Sequence, residues 1–136
     1  MTDLTNDPSL TSWVESAPDS DFPIQNLPLG IFSVGQRRRR PGVAIGDFVL
    51  DLTGIADLLD EDWRTDLMQP VLNAWLARGS SAQRDLRERL SELLSDERYR
   101  DDVESQLVGQ SEVRMHVPCI VGDYTDFYVG IHHATN

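Results

Sequence analysis

A chain of 136 residues has room for one domain, or for one domain and the opening of a second, and buries roughly two thirds of its unfolded surface on folding. The formal net charge is −11, and all twelve cations are arginine; such a field argues against nucleic acid and anionic membranes as partners, since both are polyanions. Cys119 stands alone, which excludes an internal disulfide, and with no run of ~18 apolar residues and no basic-then-apolar leader the expectation is a soluble, cytoplasmic protein.

Residues 1–20 are polar and rich in Ser, Thr, Asp and Pro, a composition that frays or lies along the surface of something larger. From Phe22 to Gly30 the apolar side chains are spaced among Pro23 and Pro28, which predicts an extended or turning path and not a helix. Residues 31–34 read as a short strand. Arg37, Arg38, Arg39 and Arg40 then read as a solvated loop, because four cations on an acidic chain make a weak polyanion site. Two apolar runs flank Gly46-Asp47 within residues 43–52, and that pair readily takes the positive φ angles of a two-residue hairpin turn. Early strands with short connections suggest a small barrel or half-barrel.

A helical middle follows. Ile55, Leu58 and Leu59 fit one short helix after Thr53, and Leu67, Val71, Leu72, Trp75 and Leu76 mark a second that stops at Gly79. Ser80 and Gln83 have the spacing of a capping box for a third helix, with Leu86, Leu90, Leu93 and Leu94 as its buried stripe and an end near Asp96. Residues 97–111 are charged and fit no single period, with a further helical turn as one reading. Residues 113–117 alternate as a strand returning to the sheet, and Pro118 ends it.

Chemistry concentrates in residues 120–136, where acids, hydroxyls and two adjacent histidines crowd together. His116, Cys119, His132 and His133 are zinc-type ligands, but their spacing matches no closed structural-zinc pattern, and His116 on a strand has the simpler reading of a satisfied edge histidine. Asp123 and Asp126 suit a hard cation such as Mg²⁺ or Ca²⁺, with the remaining oxygens drawn from elsewhere; the alternative is that either aspartate merely caps the helix that follows. Tyr128 can donate a hydrogen bond, and His133 can move a proton near neutral pH. One regular helix cannot converge Asp126, Tyr128 and His133, whereas a loop leading into a short helix near Phe127 can. Which imidazole matters, His132 or His133, stays open on spacing alone.

Three stretches together carry a resemblance: residues 19–33, residues 43–52, and Ile120-Val-Gly-Asp-Tyr-Thr-Asp-Phe-Tyr128 with His133-Ala-Thr-Asn136. In that order and spacing they resemble the N-terminal part of the fumarylacetoacetase family. The resemblance implies an α+β, mainly β architecture: a polar segment (1–20), a small SH3-like N-terminal barrel with inserted helices (21–118), and the start of a β-rich catalytic domain (119–136). It implies a homodimeric hydrolase that cleaves a carbon–carbon bond of a small diketo acid at the last step of tyrosine and phenylalanine breakdown. By the same resemblance Asp126 is a ligand of a catalytic Ca²⁺ or Mg²⁺, Tyr128 contacts substrate, and His133 is the base that activates water. His132 departs from the family pattern. The other metal ligands are expected downstream of Asn136, so these 136 residues alone are expected to be inactive. Two alternatives remain beside this expectation: a binding or dimerisation module without chemistry, and a hydrolase of another acylpyruvate or diketo acid.

Overall fold

The computed structural model describes residues 4–136; the first three residues of the polar segment lie outside the described residues. Five strands form one antiparallel sheet: β1 (Leu29–Val34), β2 (Arg40–Ile45), β3 (Phe48–Asp51), β4 (Leu107–Gly109) and β5 (Val113–His116). Their order is β4-β3-β2-β1-β5, and the two end strands do not pair, so the sheet is not closed and the SH3-like barrel that the resemblance implies is not confirmed. It is nonetheless curled. Four flat inter-strand spacings would set β4 and β5 about 19 Å apart. The link from Gly109 to Val113, a 3-10 turn at Gln110–Glu112, spans at most about 14 Å. The ends must therefore bend toward each other, as in a half-barrel.

The hairpin forms as its sequence predicts, with Ile45 opposite Phe48. Its turn differs in one respect: Gly46 takes a φ of 55° while Asp47 stays negative, the pattern of a turn with glycine at its first central position. All four backbone polar groups of the turn find partners. The Gly46 N–H donates to the Phe22 carbonyl at 2.8 Å, and the Asp47 carbonyl accepts from the Gln110 N–H at 2.9 Å. The Asp47 N–H donates to Ser16 Oγ at 2.9 Å, and the Gly46 carbonyl accepts from Gln110 Nε2 at 2.8 Å.

The helices follow the apolar stripes with three departures. Ile55, Leu58 and Leu59 lie at a single 3-10 turn, Ala56–Leu58, and not in a full helix. The second expected helix is two: α1 (Glu61–Leu67), capped by the Asp60 carboxylate on the Asp62 N–H, and α2 (Asn73–Ala77). Pro70 lies between them, and a proline inside a helix removes a hydrogen bond and clashes with the preceding turn. The Trp63 and Trp75 rings meet edge to face across the break, 5.9 Å apart. No capping box opens α3 (Ser80–Ser95), because Ser80 is already helical and the cap is Gly79, at φ 83°. Leu86, Leu90, Leu93 and Leu94 are its buried stripe, as their spacing predicts. The ambiguous stretch holds α4 (Arg100–Val103) between two 3-10 turns and then β4, a strand too short to show a period.

The polar N-terminal segment is where composition misleads most. Trp13, Val14 and Ala17 are buried in the core with Val43, Leu50 and Leu93. Helix α3 ends with carbonyls that have no helical partner. Trp13 Nε1 donates to the Leu93 carbonyl at 3.0 Å and Ser12 Oγ to the Leu94 carbonyl at 2.6 Å, so this segment seals the helix end. The arginine run is also divided. Arg37, Arg38 and Arg39 are exposed in the turn before β2, while Arg40 folds onto the sheet, its guanidinium 4.6 Å from the Phe32 ring centre and bonded to the Asp51 carboxylate. Asp51 completes its bonding by accepting from the Thr53 N–H at 2.9 Å and Thr53 Oγ1 at 2.5 Å.

Gly46→Ala should lower stability by about 1–3 kcal/mol, since the position needs positive φ. An added Cβ would also lie 2.9 Å from the Ala17 nitrogen. Equilibrium denaturation checks this, and an unchanged midpoint would refute the role given to the turn.

Candidate functional site

Strand β5 delivers the chain toward the chemistry-bearing stretch. Its last residue, His116, pairs with Ile31, and its Nε2 lies 2.8 Å from Ser33 Oγ on β1. Loss of hydration is the first cause holding the His116 imidazole below its ordinary value of 6.5, with Arg39 and Arg114 next. It is an edge histidine with a structural partner. The zinc-type residues do not gather either: among the described residues no three of His, Cys, Asp and Glu form a ligand group.

Beyond Pro118 the chain is fixed by α2. The Leu72 N–H donates to the Pro118 carbonyl at 2.7 Å. The Asn73 side chain then closes a reciprocal pair with the Ile120 backbone: Nδ2 donates to the Ile120 carbonyl at 2.9 Å, and Oδ1 accepts from the Ile120 N–H at 2.9 Å. After that clamp the chain runs without regular structure to α5 (Ile131–Thr135), whose start is capped by the extended Gly130. A loop leading into a short helix was the expected arrangement; the helix begins four residues later than Phe127.

Within this segment the structure brings two of the three expected site residues together. The Tyr128 and His133 rings are 5.8 Å apart at centre and tilted by 53°. His132 follows a different direction, since successive helical residues point about 100° apart. Asp126 lies in the loop before Tyr128 and does not cap α5. Among the described residues Asp123 and Asp126 make no hydrogen bond or ion pair, and both are exposed. Both carboxylates are open to solvent, and neither is joined by enough His, Cys, Asp or Glu side chains among the described residues to complete the shell of a hard cation.

The segment carries another signal besides polar chemistry. Ile120, Val121, Tyr124, Phe127, Tyr128, Val129 and Ile131 are all between 67% and 88% exposed. Exposed apolar groups concentrated on one stretch are the kind of patch that interaction surfaces and ligand grooves present. No helix among the described residues is long and apolar enough to cross a membrane. Sequence reasoning missed Asn73 entirely. Its signal was weak, an asparagine at the start of a helix, where capping is the ordinary reading.

Comparison with known proteins places this geometry in context. Residues 25–118 match the family described as Fumarylacetoacetase N-terminal. The fumarylacetoacetase of Caenorhabditis elegans is 44% identical over 93% of this chain and 33% of its own length. That of Homo sapiens is 44% identical over 92% of this chain and 32% of its own. The Arabidopsis thaliana protein of the same name is 41% identical over 93% of this chain. The chain thus spans about a third of the length of the curated relatives it matches.

The depressed His116 pKa fixes the sign of one pH effect. The folded state favours neutral imidazole, so its contribution to stability is present above 6.5 and is lost as pH falls through the lowered folded value. An NMR titration should place the His116 midpoint below 6.5, and His116→Gln should flatten that part of the acid dependence. A midpoint at or above 6.5 would contradict this environment.

Proposed function

The chain belongs to the fumarylacetoacetase N-terminal family, and from that premise we propose that it is the opening part of a metal-dependent hydrolase that cleaves 4-fumarylacetoacetate to fumarate and acetoacetate. Kinship with proteins named fumarylacetoacetase carries this proposal, and the pairing of Tyr128 with His133 supplies its chemistry. The parent enzyme is a hydrolase of the tyrosine and phenylalanine breakdown route, acting in the cytoplasm as a homodimer. The open-sheet module, with residues 12–17 packed into its core, serves as its N-terminal part, and residues 119–136 open its catalytic domain.

His133, as neutral imidazole, takes a proton from water, whose oxygen bonds to the ketone carbon beside the scissile bond. Collapse breaks the carbon–carbon bond, leaving the fumaryl part as a carboxylic acid. The bonding pair goes to the acetoacetate carbon, which is then protonated. Tyr128 donates a hydrogen bond to a substrate oxygen and holds it beside His133. Asp126 is one ligand for Ca²⁺ or Mg²⁺, which when bound supplies positive charge beside the substrate oxygens. The remaining ligands come from parts of the protein outside these residues, so residues 1–136 by themselves do not turn over.

The exposed apolar side chains of residues 120–131 favour a second reading, a docking or dimerisation module without chemistry of its own. A hydrolase of an acylpyruvate or another diketo acid shares the same steps and differs in the acyl group and in the carbon fragment that leaves, pyruvate in place of acetoacetate for an acylpyruvate.

Two substitutions in the complete protein test the assignment. Asp126→Ala should shift the Mg²⁺ or Ca²⁺ activation curve to higher concentration by at least about tenfold, as loss of one ligand implies; an unchanged metal titration would remove Asp126 from the ligand set. His133→Ala should lower kcat by roughly 10²–10⁴-fold, the usual worth of a general base, with substrate still bound. Turnover retained in that variant would shift the role to His132 or to a group elsewhere.

A further inference from the structure

We infer that Asn73 is a positioning residue for the active-site segment, fixing where that segment leaves the N-terminal module. The inference rests on the proposed hydrolase reading of Asp126, Tyr128 and His133. Asn73 does not do what an asparagine at a helix start usually does. The cap of α2 is Leu72, with no side-chain cap hydrogen bond, and the Asn73 amide turns away from its own helix to the Ile120 backbone. There it meets a donor and an acceptor at once, as a neighbouring strand would, at 2.9 Å in each direction.

The surroundings make this amide pair matter. Pro118 and Cys119 are half-buried at the edge of an open groove lined also by Leu72, Trp75 and Leu76, so only part of the exit segment is packed against the module. Proline offers no N–H, and the ladder of β5 ends at His116. Three hydrogen bonds from the start of α2 fasten residues 118–120: one from the N–H of its cap, Leu72, and two with the Asn73 side chain. Between the described residues 121 and 129 no further hydrogen bond joins the segment to the module. Asp126 lies six residues past the clamp, a reach of about 20 Å if extended, so a small change of direction at Ile120 displaces it by several ångströms. A misplacement of about 1 Å in a catalytic constellation costs on the order of 10²-fold in rate.

The test uses the complete protein, with Asn73→Ala and Asn73→Asp beside wild type, and reads three quantities. Asn73→Ala should speed amide exchange at Ile120, lower kcat/KM for 4-fumarylacetoacetate by roughly 10- to 100-fold, and leave the melting temperature nearly unchanged. Asn73→Asp keeps the acceptor for the Ile120 N–H but sets a carboxylate oxygen against the Ile120 carbonyl, so its protection and rate should fall between those of Asn73→Ala and wild type. Wild-type kcat/KM in Asn73→Ala would overturn the inference. So would equal losses of rate and thermal stability in both variants, which would make the residue a structural one. Should the wild-type protein fail to hydrolyse the diketo acid, the hydrolase reading falls and the positioning role with it, even if Ile120 exchange still responds to Asn73.

Discussion

The turn at Gly46-Asp47 is the constraint on which the rest of the architecture rests. Two residues carry four backbone polar groups, and partners from Ser16, Phe22 and Gln110 satisfy all of them. The N-terminal segment, the approach to β1 and the link between β4 and β5 are therefore tied to one hairpin tip. Only glycine suits its first position, because of the positive φ and because Ser16 and Ala17 lie where a side chain would go. With the tip tied, the sheet's two ends are drawn round by a three-residue turn, and the buried faces of α3 and the N-terminal segment close over the inner side.

This arrangement leaves one strand end free to lead elsewhere. β5 lies at the edge of the sheet, and past it the chain is carried by the two hydrogen-bonding residues at the start of α2 onto an exposed path. The module behaves as a mount. Its core is closed and its buried carboxylate, Asp51, is matched by Arg40 and Thr53, whereas the stretch it presents is open, apolar and interspersed with carboxylates and hydroxyls. That division explains how a chain with an ordinary core can carry Tyr128 and His133 side by side yet hold neither in a pocket of its own.

Much of this was legible in the residues, and the failures have physical reasons. The hairpin, β1, β5 and the stripe of α3 follow from periods of two and 3.6 and from a glycine in the right place. The N-terminal segment misled because its average polarity hid Trp13, Val14 and Ala17, whose burial depends on partners eighty residues away. The expected capping box at Ser80 yielded to Gly79, already in the backbone conformation that both ends α2 and begins α3. Pro70, inside the single apolar stripe, is what divides it into two helices. In the site, the loop-to-helix path was legible from the geometry of a single helix, but Asn73 was not, since its partner lies 47 residues away and offers only backbone.

The proposed reading assigns residues 120–136 to the active site of a carbon–carbon bond hydrolase. The most direct measurement follows 4-fumarylacetoacetate by NMR in the presence of the complete protein, with and without a divalent-metal chelator. The account predicts fumarate and acetoacetate in equal amounts, with formation stopping when the metal is removed and resuming when it is restored. Substrate that persists unchanged, or is lost without an intact carbon–carbon cleavage product pair, would contradict it.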